Sequence, residues 1–200
     1  MKTSNRRGAP LRKRGLCRMR ARAIAIIGLP LLWLLLAGAD SLAQDAQPSE
    51  YQIKAAYIYN FAKFIQWPST VLPSDDSPLV IGILGDNPFH SDLERVVSGK
   101  KVDEHPLVIK EVRSSAEATN CHTLFISTSA KARVPQILKD LKGSSVLTVS
   151  DIDGFSEAGG MIGFVREGTK IRFRINNTAA SGAGLKISSK LLMLASRSGQ

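Results

Sequence analysis

Four short strand-like runs, three of them uncharged, punctuated by helical patterns, constrain this chain more than any other feature. Leu79 to Leu84, Thr123 to Ser127 and Ser145 to Ser150 are uncharged, while Leu107 to Val112 is of mixed character and fits a strand nearer an edge. Unbroken apolar runs of this length suit strands covered on both faces. Between the first two, Gly85-Asp86-Asn87-Pro88 caps a helix with Phe89, Leu93, Val96 and Val97 on one side and Gly99 as its stop. Before the last, a helix around Val134, Ile137, Leu138 and Leu141 ends at Gly143. Strands alternating with helices predict an α/β fold, a helix-sheet-helix sandwich around a largely parallel sheet, in which ligands favour the carboxyl ends of the strands.

The flanks extend this frame. Tyr51 to Trp67 has helical spacing in Ile53, Tyr57, Asn60, Phe61 and Phe64, with Pro68 as its end. Met161 to Val165 and Lys170 to Ile175 read as a hairpin turning at Glu167-Gly168. Alternation then puts Ile171, Phe173 and Ile175 on one face and Lys170, Arg172 and Arg174 on the other. Thr178 to Ala195 closes the chain as a final helix, weakened in its first turns by Gly182 and Gly184.

Residues 1–43 stand apart as a signal peptide. A basic region reaching Arg22 precedes the apolar run Ala23 to Ala37, and Ser41-Leu42-Ala43 offers the small residues of a cleavage site, which leaves Gln44 first. The run falls short of the roughly 20 residues a membrane span needs. Met19-Arg-Ala-Arg-Ala is a complete basic region by itself, which leaves the true start open between Met1 and Met19. The whole chain is formally +10, yet residues 44–200 hold 18 Lys/Arg against 16 Asp/Glu, a net of +2. That balance removes the electrostatic argument for a nucleic-acid partner. What remains suits one α/β domain over 44–200. Its single cysteine, Cys121, rules out an internal disulfide and leaves a homodimer bridged through that thiol open.

The search for chemistry returns absences. Gly82-Ile-Leu-Gly85 lacks the spaced glycines of a dinucleotide fold, no Gly-Lys-Ser phosphate loop occurs, and His90, His105 and His122 are too scattered for a metal motif. No cofactor is called for. Asp151 and Asp153 are turn formers or acid/base carboxylates. Asn60 is either a core amide or a ligand contact at a helix end, and Trp67 either packs or faces a partner. Phe155, a ring in a Gly- and Asp-containing loop, either anchors a partner or plugs the sheet from beneath. Arg172 and Arg174 either grip carboxylates or form a solvated strand face.

Four blocks then carry a resemblance. Ala55-Ala-Tyr-Ile-Tyr-Asn-Phe-Ala-Lys-Phe-Ile-Gln-Trp-Pro68, Val146-Leu-Thr-Val-Ser-Asp-Ile-Asp-Gly-Phe155, Gly159-Gly-Met-Ile162 and Gly184-Leu-Lys-Ile-Ser-Ser-Lys-Leu-Leu192 resemble the signature blocks of the YfiR family. The resemblance implies an exported, periplasmic α/β protein without catalytic activity. Such a protein restrains a membrane-bound diguanylate cyclase of the YfiN type and so lowers cyclic di-GMP and biofilm formation. An outer-membrane lipoprotein that relieves the repression is a further implied partner. Where many members carry a cysteine that pairs with the counterpart of Cys121 this chain has Gly82, and where many carry Asn it has Gly163. The alternative from architecture alone is a periplasmic small-ligand binding or sensor protein.

Overall fold

The computed structural model describes residues 47–74 and 76–195; the signal segment and the expected new terminus at Gln44 lie outside the described residues. In chain order the elements are α1 (Glu50–Phe64), β1 (Ile65–Gln66), β2 (Leu79–Leu84), α2 (Asp92–Val97), β3 (Lys101–Val102) and β4 (His105–Val112). There follow α3 (Ser115–Ala118), β5 (Thr123–Ile126), a 3-10 turn over Thr128–Arg133, α4 (Val134–Asp140) and β6 (Leu147–Ser150). The chain ends with β7 (Ile162–Glu167), β8 (Lys170–Ile175), α5 (Asn177–Gly182), β9 (Lys186–Ile187) and α6 (Ser189–Leu194).

The predicted α/β sandwich is present. Seven strands form one sheet in the order β3-β4-β2-β5-β6-β7-β8, parallel from β4 through β7 and antiparallel at both margins. The chain starts the parallel set in the middle, at β2, and winds first to one side and then to the other. A topological switch point therefore falls between β2 and β5. On one face α1, α2, α5 and α6 cover a core containing Ile58, Phe61, Leu93, Ile81, Phe125 and Val149. On the other, α3 and α4 close over Leu84, Leu124 and Ile126. Burial of each such side chain contributes about 1.5–3 kcal/mol.

The join between β6 and β7 positions everything that follows. The two strands share only the pairs Val149↔Ile162 and Ser150↔Gly163, so β7 starts where β6 stops. This offset lets a connection without a helix, Asp151 to Met161, link parallel strands that ordinarily need a longer crossover. It also carries the β7–β8 hairpin out past the carboxyl edge of the sheet, and it leaves no strand beside Leu147 and Thr148 on that side.

Three expectations change. The final helix over Thr178–Ala195 is in fact two short helices interrupted by β9. Gly184 adopts φ +75°, a conformation costly for other residues, and the turn brings Lys186–Ile187 antiparallel to Ile65–Gln66. The same pairing ends α1 at Phe64 rather than at Trp67, because Ile65 must be extended to meet Ile187. The face of α1 is also rotated: Lys54, Ala55, Ile58, Phe61 and Ala62 are buried. Small Ala55 and Ala62 let the helix axis approach the sheet, while Ile53, Tyr57 and Phe64 pack at its flanks. At the other end Ser49 caps α1 with a reciprocal pair of bonds, Gln52 N to Ser49 Oγ at 3.2 Å and Ser49 N to Gln52 Oε1 at 2.9 Å, an arrangement worth about 1 kcal/mol.

Candidate functional site

Asp151 follows β6 directly, at the carboxyl edge where the switch point lies. Its carboxylate is buried and fully engaged: Oδ2 accepts from Lys54 Nζ at 2.7 Å and Tyr51 OH at 3.0 Å, and Oδ1 accepts from Thr128 Oγ1 at 3.1 Å. The Lys54–Asp151 pair is almost without solvent, with side-chain exposures of 4% and 7%. Lys54 also meets Glu50 Oε1 at 2.6 Å, and Glu50 is in turn held by Arg166 of the hairpin. One chain of charges thus fastens α1, the β6 terminus and the projecting β7–β8 arm together. The Tyr51 phenol is pushed up to about 12, first by burial and then by the adjacent Asp151 carboxylate. A carboxylate with both oxygens occupied by protein donors is an anchor, and a general base needs one of them free. Asp151 is therefore neither a simple turn former nor an acid/base group in this arrangement.

The loop from Asp151 to Gly160 is as tightly held. Ser150 Oγ donates to Ile126 O at 2.7 Å and accepts from Ile152 N at 3.1 Å, Ala158 N bonds Gly154 O, and Gly160 N bonds Phe155 O. Phe155 is 1% exposed and belongs to the core beneath the sheet, with Ile152 beside it. A Cβ at Gly160 would stand 2.2 Å from the Phe155 ring, so glycine there is what lets the loop close over it. The ring plugs the fold and is not an exposed anchor.

The remaining candidates fall in separate places. Arg174 reaches Glu157 of the loop at 2.8 Å, which helps draw that carboxyl below the usual range, after the Glu157 backbone and Ser156 hydrogen bonds. Arg172 is exposed, with Glu167 3.9 Å away. Asn60 lies on the exposed side of α1, neither a core amide nor close to Asp151. Trp67 sits at the opposite, amino edge of the sheet, where its Nε1 donates to His122 O at 3.1 Å and its ring meets the His122 ring edge-on. His122 Nδ1 accepts from Val80 N at 3.0 Å, which leaves Nε2 as donor to Val71 O. Trp67 and His122 thus pin the start of the sheet.

Sequence reasoning missed Lys54 and Tyr51. Their signal was faint: Glu50 and Lys54 are spaced i, i+4, a pattern that ordinarily marks a solvated helix face. Their shared partner, Asp151, is 97 residues beyond Lys54 and 100 beyond Tyr51. Among the described residues no group of three or more His, Cys, Asp or Glu could hold a metal ion, and no helix is long and apolar enough to cross a membrane.

Cys121 is buried and its thiol is pushed up by that burial, which Lys110 only partly opposes. A Cβ at Gly82 would lie 3.3 Å from Cys121 Cβ and 2.6 Å from its Sγ. Position 82 is thus within reach of Cys121 for the bridge that the resemblance implies for other members, and this chain leaves the bridge out.

With the geometry in place, comparison with known proteins decides the family. A model of the YfiR/HmsC-like family matches residues 51–196. The chain belongs to the YfiR/HmsC-like family. No curated protein matches it. Among solved structures it is similar to a conserved domain protein from Vibrio cholerae, at 13% identity and a TM-score of 0.50, with 74% of this chain and 60% of that chain covered. This likeness bears on the fold alone, and the chain spans under two thirds of that structure. A second similarity, at 14% identity and a TM-score of 0.43, is to the ABC domain in complex with L-Trp from Streptococcus pneumoniae, covering 58% of this chain and 53% of that one. The family match takes in α1 from its second residue, the Asp151 loop, the hairpin and the elements that follow.

Proposed function

We propose that the protein is a non-catalytic, exported regulator that binds the periplasmic part of a membrane-bound diguanylate cyclase and represses it, lowering cyclic di-GMP and biofilm formation. The observation that carries this reading is the family match across residues 51–196. Two features of the site support it. The carboxyl edge, where an α/β enzyme would keep its reactive groups, is filled by ion pairs whose members satisfy one another. Beyond that edge the β7–β8 arm ends the sheet with an edge strand bearing Lys170 and Arg172 as exposed cations on one face, while Arg166 of the neighbouring strand is on the other face and paired with Glu50. Cations on a strand held by a rigid frame suit recognition of an acidic surface, and bidentate arginine gives such contacts direction.

Because Phe155 is sequestered, the contact surface in this reading is the cationic face of the arm, with the Asp151–Gly160 loop shaping it from below. Arg174 acts mainly through Glu157 to fix the arm on the loop. Repression operates by differential affinity: the protein must favour an inactive cyclase state over the active one, and shifting the balance from 1:99 to 99:1 takes a preference of about 10⁴. An outer-membrane lipoprotein competing for the same surface would release the cyclase, and a homodimer would present the arm twice.

The test is capture. The periplasmic segment of a cyclase encoded beside this protein, immobilised on resin, should retain the wild-type protein at low salt and lose most of it with Arg172→Glu. Equal retention of both proteins would remove the arm from the interface, and no retention of the wild type would overturn the partnership.

A further inference from the structure

The missing strand beside Leu147 and Thr148 leaves a groove of about 510 Å³ between α4 and α5. That volume lies within the roughly 300–1,000 Å³ typical of small-molecule sites. Leu138 and Leu141 form one wall, Met161 and Ala183 the other, and Lys139 and Lys142 stand at the rim. Both lysines are exposed, and among the described residues neither takes part in an ion pair. Lys139 in the last turn of α4 answers the negative end of that helix. Lys142 lies beyond it, and the helix dipole does not account for apolar walls facing two cations.

Thr148 supplies a fixed point at the back. It is buried, and its Oγ1 accepts the Met161 amide at 3.1 Å. Among the described residues its hydroxyl proton has no acceptor, so one donor remains available to an occupant. Gly182 of α5 also lines the groove, and nothing stands within 4 Å of where its Cβ would be.

We propose that this groove binds a small amphipathic carboxylate, its apolar body between the Leu138–Leu141 wall and Met161, its charged end held by Lys139 and Lys142. Two ammonium groups at the mouth of an apolar slot favour a single anionic head over a neutral molecule of the same shape, since burying the body leaves the head at the rim where the cations are. The site is separate from the cationic arm, and the inference stands or falls independently of the cyclase partnership.

The probe is dodecanoate, titrated calorimetrically below its micellar concentration into the exported protein, with dodecanol as the uncharged counterpart. The expected result is saturable binding of one dodecanoate per chain, at least tenfold tighter than dodecanol. Lys139→Glu with Lys142→Glu should weaken it tenfold or more, and Gly182→Leu, which fills the slot without meeting another atom at Cβ, should abolish it while the melting temperature is held or raised. The absence of saturable binding would overturn the proposal. So would equal affinity for dodecanol, or unchanged binding in the charge-reversed and slot-filled variants when their melting curves show them folded.

Discussion

Gly82→Cys is expected to create the disulfide this chain lacks, and its effect can be worked from the geometry. A Cβ at position 82 sits 3.3 Å from Cys121 Cβ, just short of the 3.5–4.5 Å usual for disulfides, so closure asks β2 and the turn carrying Cys121 to part by a few tenths of an ångström. The same Cβ is 2.6 Å from Cys121 Sγ, so that sulfur must rotate. The bridge would close a loop of about 40 residues, which removes about 4 kcal/mol of unfolded-state entropy in the chain-entropy model. Setting against this about 1–2 kcal/mol of overpacking leaves a net gain of about 2–3 kcal/mol. For a domain of this size the melting temperature should then rise by about 4–12 °C. Gly82→Ser supplies the control, since it brings the crowding without the bond and should melt below wild type. The assay is a pair of melting curves with and without reductant, alongside thiol titration of the unfolded protein. Two free thiols after oxidation, or an oxidised variant melting no higher than its reduced form, would refute the stated proximity of β2 and Cys121.

Lys54→Ala should cost about 3–5 kcal/mol in denaturant unfolding, because it leaves Asp151 buried without its cation, whereas Lys54→Met combined with Asp151→Leu should recover most of that loss. Equal stability of Lys54→Ala and wild type would show that the pair is not buried. The Tyr51 phenol holds its proton to about 12 in the folded protein against an ordinary 10.0, so the stability it contributes is full below pH 10 and is lost as pH rises towards 12. Melting temperature followed over that window should fall less steeply for Tyr51→Phe than for wild type. Intact mass of the protein recovered from a periplasmic extract should correspond to a chain beginning at Gln44, and a species retaining residues 23–37 would contradict cleavage.

How much of this was legible depended on how local each signal was. The runs Leu79–Leu84 and Lys170–Ile175 became strands with the expected bounds, because a period of two or an unbroken apolar run is a property of neighbouring residues. The buried face of α1 lies about one position from the one its apolar spacing predicts. Ile53, Tyr57 and Phe64 are more apolar than Ala55 and Ala62, yet the small residues are the ones that fit against the sheet. The break in the final helix turned on Gly184 and on a two-residue strand whose partner lies at the end of α1. The ion-pair network was illegible for a similar reason. Nothing near Lys54 says that it will be buried, and only the fold brings Asp151 to it. Phe155 was ambiguous because a ring in a polar loop has two explanations, and the close approach of Gly160 resolves them in favour of packing.

The measurement that tests the central claim most directly is cyclic di-GMP in cells that express the neighbouring cyclase. Deleting the gene should raise the nucleotide several-fold, the wild-type protein supplied in trans should bring it back down, and a folded, exported Arg172→Glu protein should fail to do so. Unchanged cyclic di-GMP on deletion, in a strain shown to make the active cyclase, would contradict the repressor account.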